Sequence, residues 1–299
     1  MGSTGTDDPG SRVARPWEAL EETPCPVCGV GREGARIFRR FPPFQLWACG
    51  NCGVWYLSPR LKSGVMLAEY RDGRYFSGAP GAGYVGAAGG YQAQEEPLRR
   101  TFRAFLGALE KRRLAGGSLL EIGCAYGYFL DEAREHFQRL VGTDFSEDAV
   151  ARTRSLGLEC IHGGLDHLAE TDRFDRILSI GVLEHIYRPG EWVSQAVRHL
   201  NPGGWLIHAT PFAGSLWFWL MGRRWPSYKV PEHVALYGRL ALRNLMVRCG
   251  ARELIWLPYV HYFSLGLVAA KLGLPVAPDK SRGMVPLPQT MLAVAARFS

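Results

Sequence analysis

Four cysteines near the amino terminus have the spacing of a metal site. Cys25 and Cys28 form one C-x-x-C pair, and Cys49 and Cys52 form a second pair after a segment that alternates apolar and polar residues. Four thiolates in this pattern bind zinc tetrahedrally and leave no position open for a catalytic water. The pattern therefore predicts a structural zinc ion in a ribbon over 23–58, with rubredoxin-type iron as the alternative.

A second group of residues has the chemistry for moving a proton. Glu184 and His185 end an apolar run in the segment SIGVLEHIYRPGEW, residues 179–192. An imidazole is a general base near neutral pH, and a neighbouring carboxylate can orient it or stabilise its charge. His233, in PEHV, is a further candidate. For each histidine the alternative is a structural role in a loop or in the wall of a pocket.

Strands and helices alternate around these residues from Ser118 onward. SLLEIG, RLVGTD, LECIHGG, FDRILSIG and GWLIHATP are typical of buried strands, and amphipathic helices lie between several of them. GRLALRNLMVRCGA adds a helix, and RELIWLPY and MLAVAARF add two strands. This order predicts a parallel sheet with helices on both faces. Ligands of such sheets bind beyond the carboxyl ends of the strands, where Glu184 and His185 would lie.

The turn after the first of these strands predicts a cofactor site. It reads E-I-G-C-A-Y-G and contains Glu121, Gly123, Cys124, Ala125 and Gly127. A dinucleotide site would require G-x-G-x-x-G, which this turn lacks. Asp144 ends the second strand, where a carboxylate can accept hydrogen bonds from two ribose hydroxyls. The alternative for Asp144 is to cap the helix that follows.

The turn resembles motif I of class I S-adenosylmethionine-dependent methyltransferases, E/D-x-G-x-G-x-G, with Ala125 in place of the middle glycine. The resemblance implies an α/β fold, a Rossmann-like class I methyltransferase sheet, with S-adenosylmethionine as the cofactor. It implies that Gly164 and Leu165 flank the adenine and that Ser179 and Ile180 face the methionine portion. Phe145, directly after the ribose-binding acid, is a further implied contact.

The cysteine ribbon and the segment EYRDGRYFSG ahead of the sheet extend this resemblance. Together they are similar to the zinc-containing methyltransferases of sugar and natural-product biosynthesis. The best-described of these are C-methyltransferases of deoxysugars, in which a similar Glu-His pair has been assigned base chemistry. They carry a further carboxyl-terminal domain for which this chain has no room, so their particular substrate is not transferred. Many other small-molecule methyltransferases have a similar L-E-H with different acceptors.

The expected organisation has four parts. They are a flexible tail over 1–22, the zinc ribbon over 23–58, a helical and Gly-rich connector over 59–113, and the methyltransferase core over 114–299. Within the core, residues 212–237 form an insertion that is too long and too apolar for an ordinary turn.

This insertion is interpreted as a lid over the acceptor. Trp217 and Trp225 would form an apolar wall, and Arg223 and Arg224 would meet an anionic group. The connector adds two weaker candidates for substrate contact, Tyr75 and Tyr84. The alternatives for the insertion are a homodimer contact or a hairpin packed on the core.

The composition and the apolar segments indicate the expected location of the protein. The net charge of +7 favours acidic partners, but the arginines are dispersed along the chain, which is typical of a solvated surface. The first residues lack a secretory signal, and the longest apolar run contains Pro258 and is too short to span a bilayer. We therefore expect a cytoplasmic location, no transmembrane segment, and reduced cysteines.

Taken together, these features predict methylation of a small molecule such as a sugar, a glycan or a secondary metabolite. We expect O-methylation with His185 as the general base. One alternative is an rRNA or tRNA methyltransferase that uses the zinc module to bind RNA, although nucleic acid is not the expected partner. Others are a C- or N-methyltransferase of a nucleotide-linked sugar and a non-enzymatic cofactor-binding protein. The N-P-P-[YFW] segment typical of enzymes acting on exocyclic base amines is absent.

Overall fold

The computed structural model describes residues 19–71, 76, 90–272 and 283–298. Tyr75, Tyr84 and most of the predicted tail lie outside the described residues. The strands are β1 Leu20–Glu21, β2 Ala35–Phe41, β3 Phe44–Cys49, β4 Trp55–Leu57, β5 Arg60–Leu61, β6 Ser118–Ile122, β7 Arg139–Asp144, β8 Glu159–His162, β9 Phe174–Ile180, β10 Leu200–Pro211, β11 Ala235–Leu236, β12 Glu253–Leu257, β13 Val260–Ser264, β14 Met284–Pro288 and β15 Met291–Arg297. The α-helices are α1 Ser63–Arg71, α2 Glu95–Lys111, α3 Tyr128–Glu132, α4 Glu147–Ser155, α5 Pro189–Arg198, α6 Leu216–Met221, α7 Arg239–Arg248 and α8 Leu265–Leu272.

A seven-stranded sheet forms the centre, in the order β12-β15-β10-β9-β6-β7-β8. The five strands from β10 to β8 are parallel, as predicted, whereas β15 runs antiparallel to both of its neighbours. The sheet is therefore mixed. The chain leaves β6 toward β7 and β8 and later returns to β9 on its other side, so the crevice beyond β6 and β9 is the switch point where ligands bind in such sheets.

Amphipathic helices cover the sheet. In α2, buried apolar residues recur with helical spacing, including Leu98, Phe102, Phe105 and Leu109. These side chains pack in a core cluster with residues of the central sheet, among them Leu119 of β6. Removal of this apolar face from water fixes the helix on the sheet, and with it the frame that positions the β6 turn.

The cysteine segment builds a small antiparallel sheet with the order β11-β4-β3-β2. Its fourth strand, β11, comes from the carboxyl end of the insertion, outside the predicted ribbon. Tyr56 and Val54 are fully buried in one cluster with Leu242 and Leu245 of α7. The ribbon therefore shares its core with the central sheet.

The insertion packs mainly against this ribbon. Phe218 of α6 is 2% exposed, and its ring lies 5.0 Å from that of Trp55 and 5.3 Å from that of Trp225. The insertion is thus packed on the core, but as a helix and a short strand that pairs with β4 and not as a hairpin. Among the residues described, no helix has the length and apolar character needed to cross a bilayer.

Candidate functional site

The turn after β6 has an unusual backbone. Gly123, Ala125 and Gly127 all have positive φ, at 70°, 48° and 74°. A methyl group at Gly123 would lie 2.6 Å from Cγ2 of Val182, so this position requires glycine for space as well as for backbone conformation. Ala125 takes the same backbone region at a steric cost, because its Cβ crowds the neighbouring carbonyl.

Asp144 holds this turn in place. One oxygen of its carboxylate accepts a hydrogen bond from the Ala125 amide and the other accepts one from the Ser146 amide, both at 2.9 Å. Ser146 caps α4, since its hydroxyl oxygen accepts a hydrogen bond from the Ala149 amide. Asp144 is therefore not the capping residue. Each of its oxygens keeps a lone pair for a ligand hydroxyl.

Glu121 is the second acid of the crevice. It is 3% exposed, and its Oε2 has no hydrogen-bond partner among the described residues. Burial, together with the nearby Asp144 carboxylate, raises the pKa of Glu121 well above its usual value. A buried acceptor without a partner is costly, so this oxygen is suited to a ligand that supplies a donor or a positive charge.

The remaining predicted cofactor residues differ in where their side chains lie. The Cys124 thiol is buried against Cys160, with 3.6 Å between sulfurs, so only its backbone lines the turn. The Ser179 hydroxyl bonds to Nδ1 of His208 at 2.7 Å inside the sheet. Phe145 and Gly164 are adjacent, because a methyl group at Gly164 would lie 2.9 Å from the end of the Phe145 ring. Leu165 is buried beside Gly164, and Ile180 ends β9.

An aromatic cluster that was not predicted as a unit from the sequence lies beside the β6 turn. Tyr126 has ring-centroid distances of 5.1 Å to Phe76 and 5.3 Å to Tyr91. Tyr91 in turn stacks on Tyr128 at 5.6 Å with nearly parallel planes. The Tyr126 hydroxyl donates to Asp148. The spacing Y-x-Y within the turn was the available signal, since alternate residues there flank the predicted site.

His185 follows β9 at the carboxyl edge of the sheet. Its Nδ1 shares a 2.8 Å hydrogen bond with the Tyr70 hydroxyl and lies 3.2 Å from the Glu232 carbonyl oxygen. The carbonyl can only accept, so a hydrogen on Nδ1 satisfies it and leaves the lone pair on Nε2, whereas a hydrogen donated by Tyr70 places the lone pair on Nδ1. Burial, followed by the charge of Lys229, lowers the pKa of His185 to about 3. The imidazole is therefore neutral at physiological pH.

Glu184 does not orient His185 through its side chain. Its carboxylate accepts a 2.8 Å hydrogen bond from the Thr210 hydroxyl, and its backbone carbonyl accepts one from the Val234 amide. Burial raises the pKa of Glu184 to about 7. The groups that contact the His185 ring are instead the Tyr70 hydroxyl and the Glu232 carbonyl. Tyr70 could not be predicted from the sequence, because it lies 115 residues from His185 along the chain.

His233 lies beside His185, with 4.8 Å between ring centroids. Its Nδ1 donates to the Ser227 carbonyl, which leaves the lone pair on Nε2. Potential ligand atoms of Glu184, His185 and His233 all lie within 4.8 Å of one another. Burial is the first cause of the raised pKa of Glu184 and of the lowered pKa values of both histidines, and the charge of Lys229 is a lesser cause that lowers all three. The donor atoms of the three side chains are close enough to hold either a shared proton or a metal ion.

The residues predicted to contact the acceptor from the insertion differ from one another in burial. Trp225 is 4% exposed and packs on Phe218, so it belongs to the core of the insertion. The Trp217 indole donates to the Pro288 carbonyl oxygen. Arg223 and Arg224 lie exposed on the surface. The structure brings His233 to His185, whereas Trp225 packs inside the insertion, and its predicted place in an apolar wall over the acceptor stays a prediction.

The four cysteines come together as their spacing predicts. The sulfurs of Cys25 and Cys52 are 3.4 Å apart and those of Cys28 and Cys49 are 3.5 Å apart. Tetrahedral zinc with bonds of about 2.3 Å separates its sulfurs by about 3.8 Å, close to these distances. A disulfide would bring two sulfurs to about 2.05 Å. The donor set therefore fits one tetrahedral ion.

Comparison with known proteins identifies the central domain. Residues 91–252, more than half of the chain, match the family described as "Methyltransferase domain". A ubiquinone biosynthesis O-methyltransferase from Maricaulis maris is 26% identical over 166 residues, which are 52% of this chain and 65% of that protein. A tRNA U34 carboxymethyltransferase from Pseudoalteromonas translucida is 32% identical over 105 residues, 32% of this chain and 33% of that protein. The chain thus spans from about one third to just under two thirds of these relatives.

A solved structure supports the fold. Magnesium protoporphyrin IX methyltransferase from Synechocystis, with bound S-adenosylhomocysteine, superposes with a TM-score of 0.52 at 12% identity. The match covers 80% of this chain and 100% of that one. At this identity the likeness concerns the fold alone, and it confirms the predicted Rossmann-like sheet.

Proposed function

Because this chain belongs to the methyltransferase domain family, we propose that it is an S-adenosylmethionine-dependent enzyme that methylates an oxygen of a small molecule. The observation that carries the proposal is the crevice beyond β6 and β9. On one side of it lie the left-handed turn, the carboxylate of Asp144, and Oε2 of Glu121, which has no hydrogen-bond partner in the described part of the chain. His185 follows the neighbouring strand.

The acids suit the proposed cofactor. S-adenosylmethionine carries a sulfonium and an ammonium group, and two buried carboxylates favour positive charge. Asp144 would accept hydrogen bonds from the ribose hydroxyls, and Glu121 would supply the second negative group. The bound cofactor supplies an electrophilic methyl group; everything else required for transfer is alignment and proton removal.

His185 is the proposed base. The acceptor hydroxyl would give its proton to Nε2 of His185 while its oxygen forms the new bond to carbon and the carbon–sulfur bond breaks. Tyr70 and the Glu232 carbonyl would hold the ring through Nδ1. His233, also neutral, is the second candidate for this role. The O-methyltransferase named among the relatives supports oxygen as the accepting atom, and the tRNA relative keeps RNA as the alternative substrate.

We also propose that Cys25, Cys28, Cys49 and Cys52 hold a structural zinc ion. Three of the four cysteines are buried, and the ribbon packs against α7, so the ion would stabilise the wall of the site without entering the chemistry.

The test of the proposed function compares His185→Gln with His233→Gln. Formation of S-adenosylhomocysteine is followed with a panel of hydroxylated aromatic compounds and sugars, and cofactor affinity is measured by calorimetry. If His185 is the base, His185→Gln slows turnover by about 100-fold or more while the cofactor Kd changes little. Turnover by the parent also persists below pH 6.5, because the pKa of His185 is lowered to about 3.

Two results would contradict the proposal. Full turnover by His185→Gln would exclude His185 as the base. Methylation of bulk tRNA in place of small molecules, with RNA binding that weakens steeply as salt rises, would favour the RNA alternative.

A further inference from the structure

The short helix α6 exposes an apolar face. Leu216, Trp219 and Leu220 are 59%, 69% and 68% exposed, and their spacing of three and four residues places them on one side of the helix. We call these three residues the α6 patch. The opposite side is anchored by Phe218, which is 2% exposed and packs on Trp55. The fold therefore fixes the orientation of the patch toward solvent.

Positive charge follows the patch directly. Arg223 and Arg224 lie exposed one turn after Leu220, and neither takes part in an ion pair within the described part of the chain. Residues 212–231 contain no aspartate or glutamate. The surface thus combines large apolar side chains with cations that have no acidic neighbours along the segment.

We propose that the α6 patch, together with Arg223 and Arg224, binds the surface of an anionic phospholipid membrane. Tryptophan and leucine insert at the boundary between headgroups and acyl chains, and arginines beside them bind lipid phosphates. A second copy of the chain fits less well, because a stable dimer buries about 800 Å² per partner, more than three side chains supply. In such a dimer Arg223 and Arg224 of one copy would also face the same arginines of the other copy and repel them.

The α6 patch belongs to the same insertion as His233, whose ring centroid lies 4.8 Å from that of His185. Membrane binding at α6 would therefore bring one wall of the candidate site close to the lipid surface. The proposal itself does not rest on the proposed methyl transfer, since it concerns residues outside the crevice.

Vesicle co-sedimentation tests the proposal with the full chain at about 0.1 M salt. Vesicles of phosphatidylglycerol and phosphatidylcholine are compared with vesicles of phosphatidylcholine alone. We expect binding to the anionic vesicles that weakens as salt rises. Arg223→Gln/Arg224→Gln should weaken it about 25-fold, from about 5-fold for each arginine near the surface. Trp219→Ser/Leu220→Ser should weaken it about 10-fold or more.

Matched variants control for general charge and general hydrophobicity. Arg112→Gln/Arg113→Gln removes the same charge from another exposed arginine pair, and Leu240→Ser/Val247→Ser removes two other exposed apolar side chains. Both controls should bind vesicles as the parent does.

Three results would overturn the proposal. The first is that the parent does not bind anionic vesicles. The second is that the test variants and the control variants weaken vesicle binding equally. The third is that the parent is a dimer that does not bind vesicles and that dissociates in Trp219→Ser/Leu220→Ser. Cofactor affinity, measured separately, identifies a failure of the proposed function, because the vesicle assay does not require methyl transfer.

Discussion

Replacement of Glu121 by glutamine separates cofactor binding from folding. Oε2 of Glu121 is buried without a hydrogen-bond partner among the described residues, next to the Asp144 carboxylate. In the free protein the ionised form of Glu121 destabilises the fold, because burial raises the pKa of this acid. The protonated acid carries no such cost. Stability is therefore highest below the unfolded-state pKa and falls as pH rises toward the folded-state pKa.

The two consequences of Glu121→Gln therefore differ in sign. At pH 7.5 the variant should melt no lower than the parent, since a neutral amide replaces an acid whose ionisation is disfavoured. Its affinity for S-adenosylmethionine should fall, because a hydrogen bond to a charged group contributes about 1.5–3 kcal/mol, or about 10- to 150-fold in Kd. Calorimetry gives the affinity and thermal unfolding gives the stability.

Glu135→Gln is the matched control, since Glu135 is an exposed glutamate of the same domain. It should leave both the affinity and the melting temperature unchanged. Unchanged cofactor affinity in Glu121→Gln would refute the assignment of Glu121 to the cofactor site. A large fall in melting temperature would show instead that the carboxylate holds the fold together.

Three further predictions concern the turn, the ribbon and the sheet. Ala125→Gly should raise the free energy of unfolding by about 0.5 kcal/mol in denaturant titrations, because glycine adopts the left-handed backbone at φ 48° without strain. A lower free energy of unfolding in the variant would contradict this strain. Metal analysis should give about one zinc per chain, and stripping it should lower Tm by about 5 °C or more; an unchanged Tm would exclude a structural ion. Burial lowers the pKa of His208 in the folded state to about 3. Between pH 6.5 and 3, His208 is therefore protonated in the unfolded state and neutral in the folded state, so the free energy of unfolding falls as pH falls. His208→Asn should remove a slope of about 1.4 kcal/mol per pH unit, and an unchanged slope would contradict the buried neutral imidazole.

The sequence predicted those parts of the site that depend on neighbours along the chain. The C-x-x-C pairs and the E-I-G-C-A-Y-G turn have local geometry set by glycines in the left-handed region, such as Gly29, Gly53 and Gly127. The position of the carboxyl ends of β6 and β9 at one edge of the sheet follows from the parallel direction of these strands. These features could be predicted because short-range sterics and hydrophobic periodicity determine them.

Contacts between distant segments could not be predicted in this way. Tyr70 meets His185 only because α1 reaches the carboxyl edge of the sheet, and β11 joins the ribbon only because the insertion folds back across it. The expected pairing of Glu184 with His185 differs from the structure, since Thr210 from β10 offers the carboxylate a buried donor. Adjacent residues at a turn point in different directions, and sequence proximity does not show which of them face each other.

The central claim is that the crevice beyond β6 and β9 binds S-adenosylmethionine through Asp144. Calorimetric titration of the full chain with S-adenosylmethionine, in parent and in Asp144→Asn, tests it most directly. We expect one site per chain in the parent and an affinity lower by about 10- to 150-fold in the variant, since a charge-assisted hydrogen bond to the ribose is lost. The same affinity in both proteins, or no binding to the parent, would contradict it.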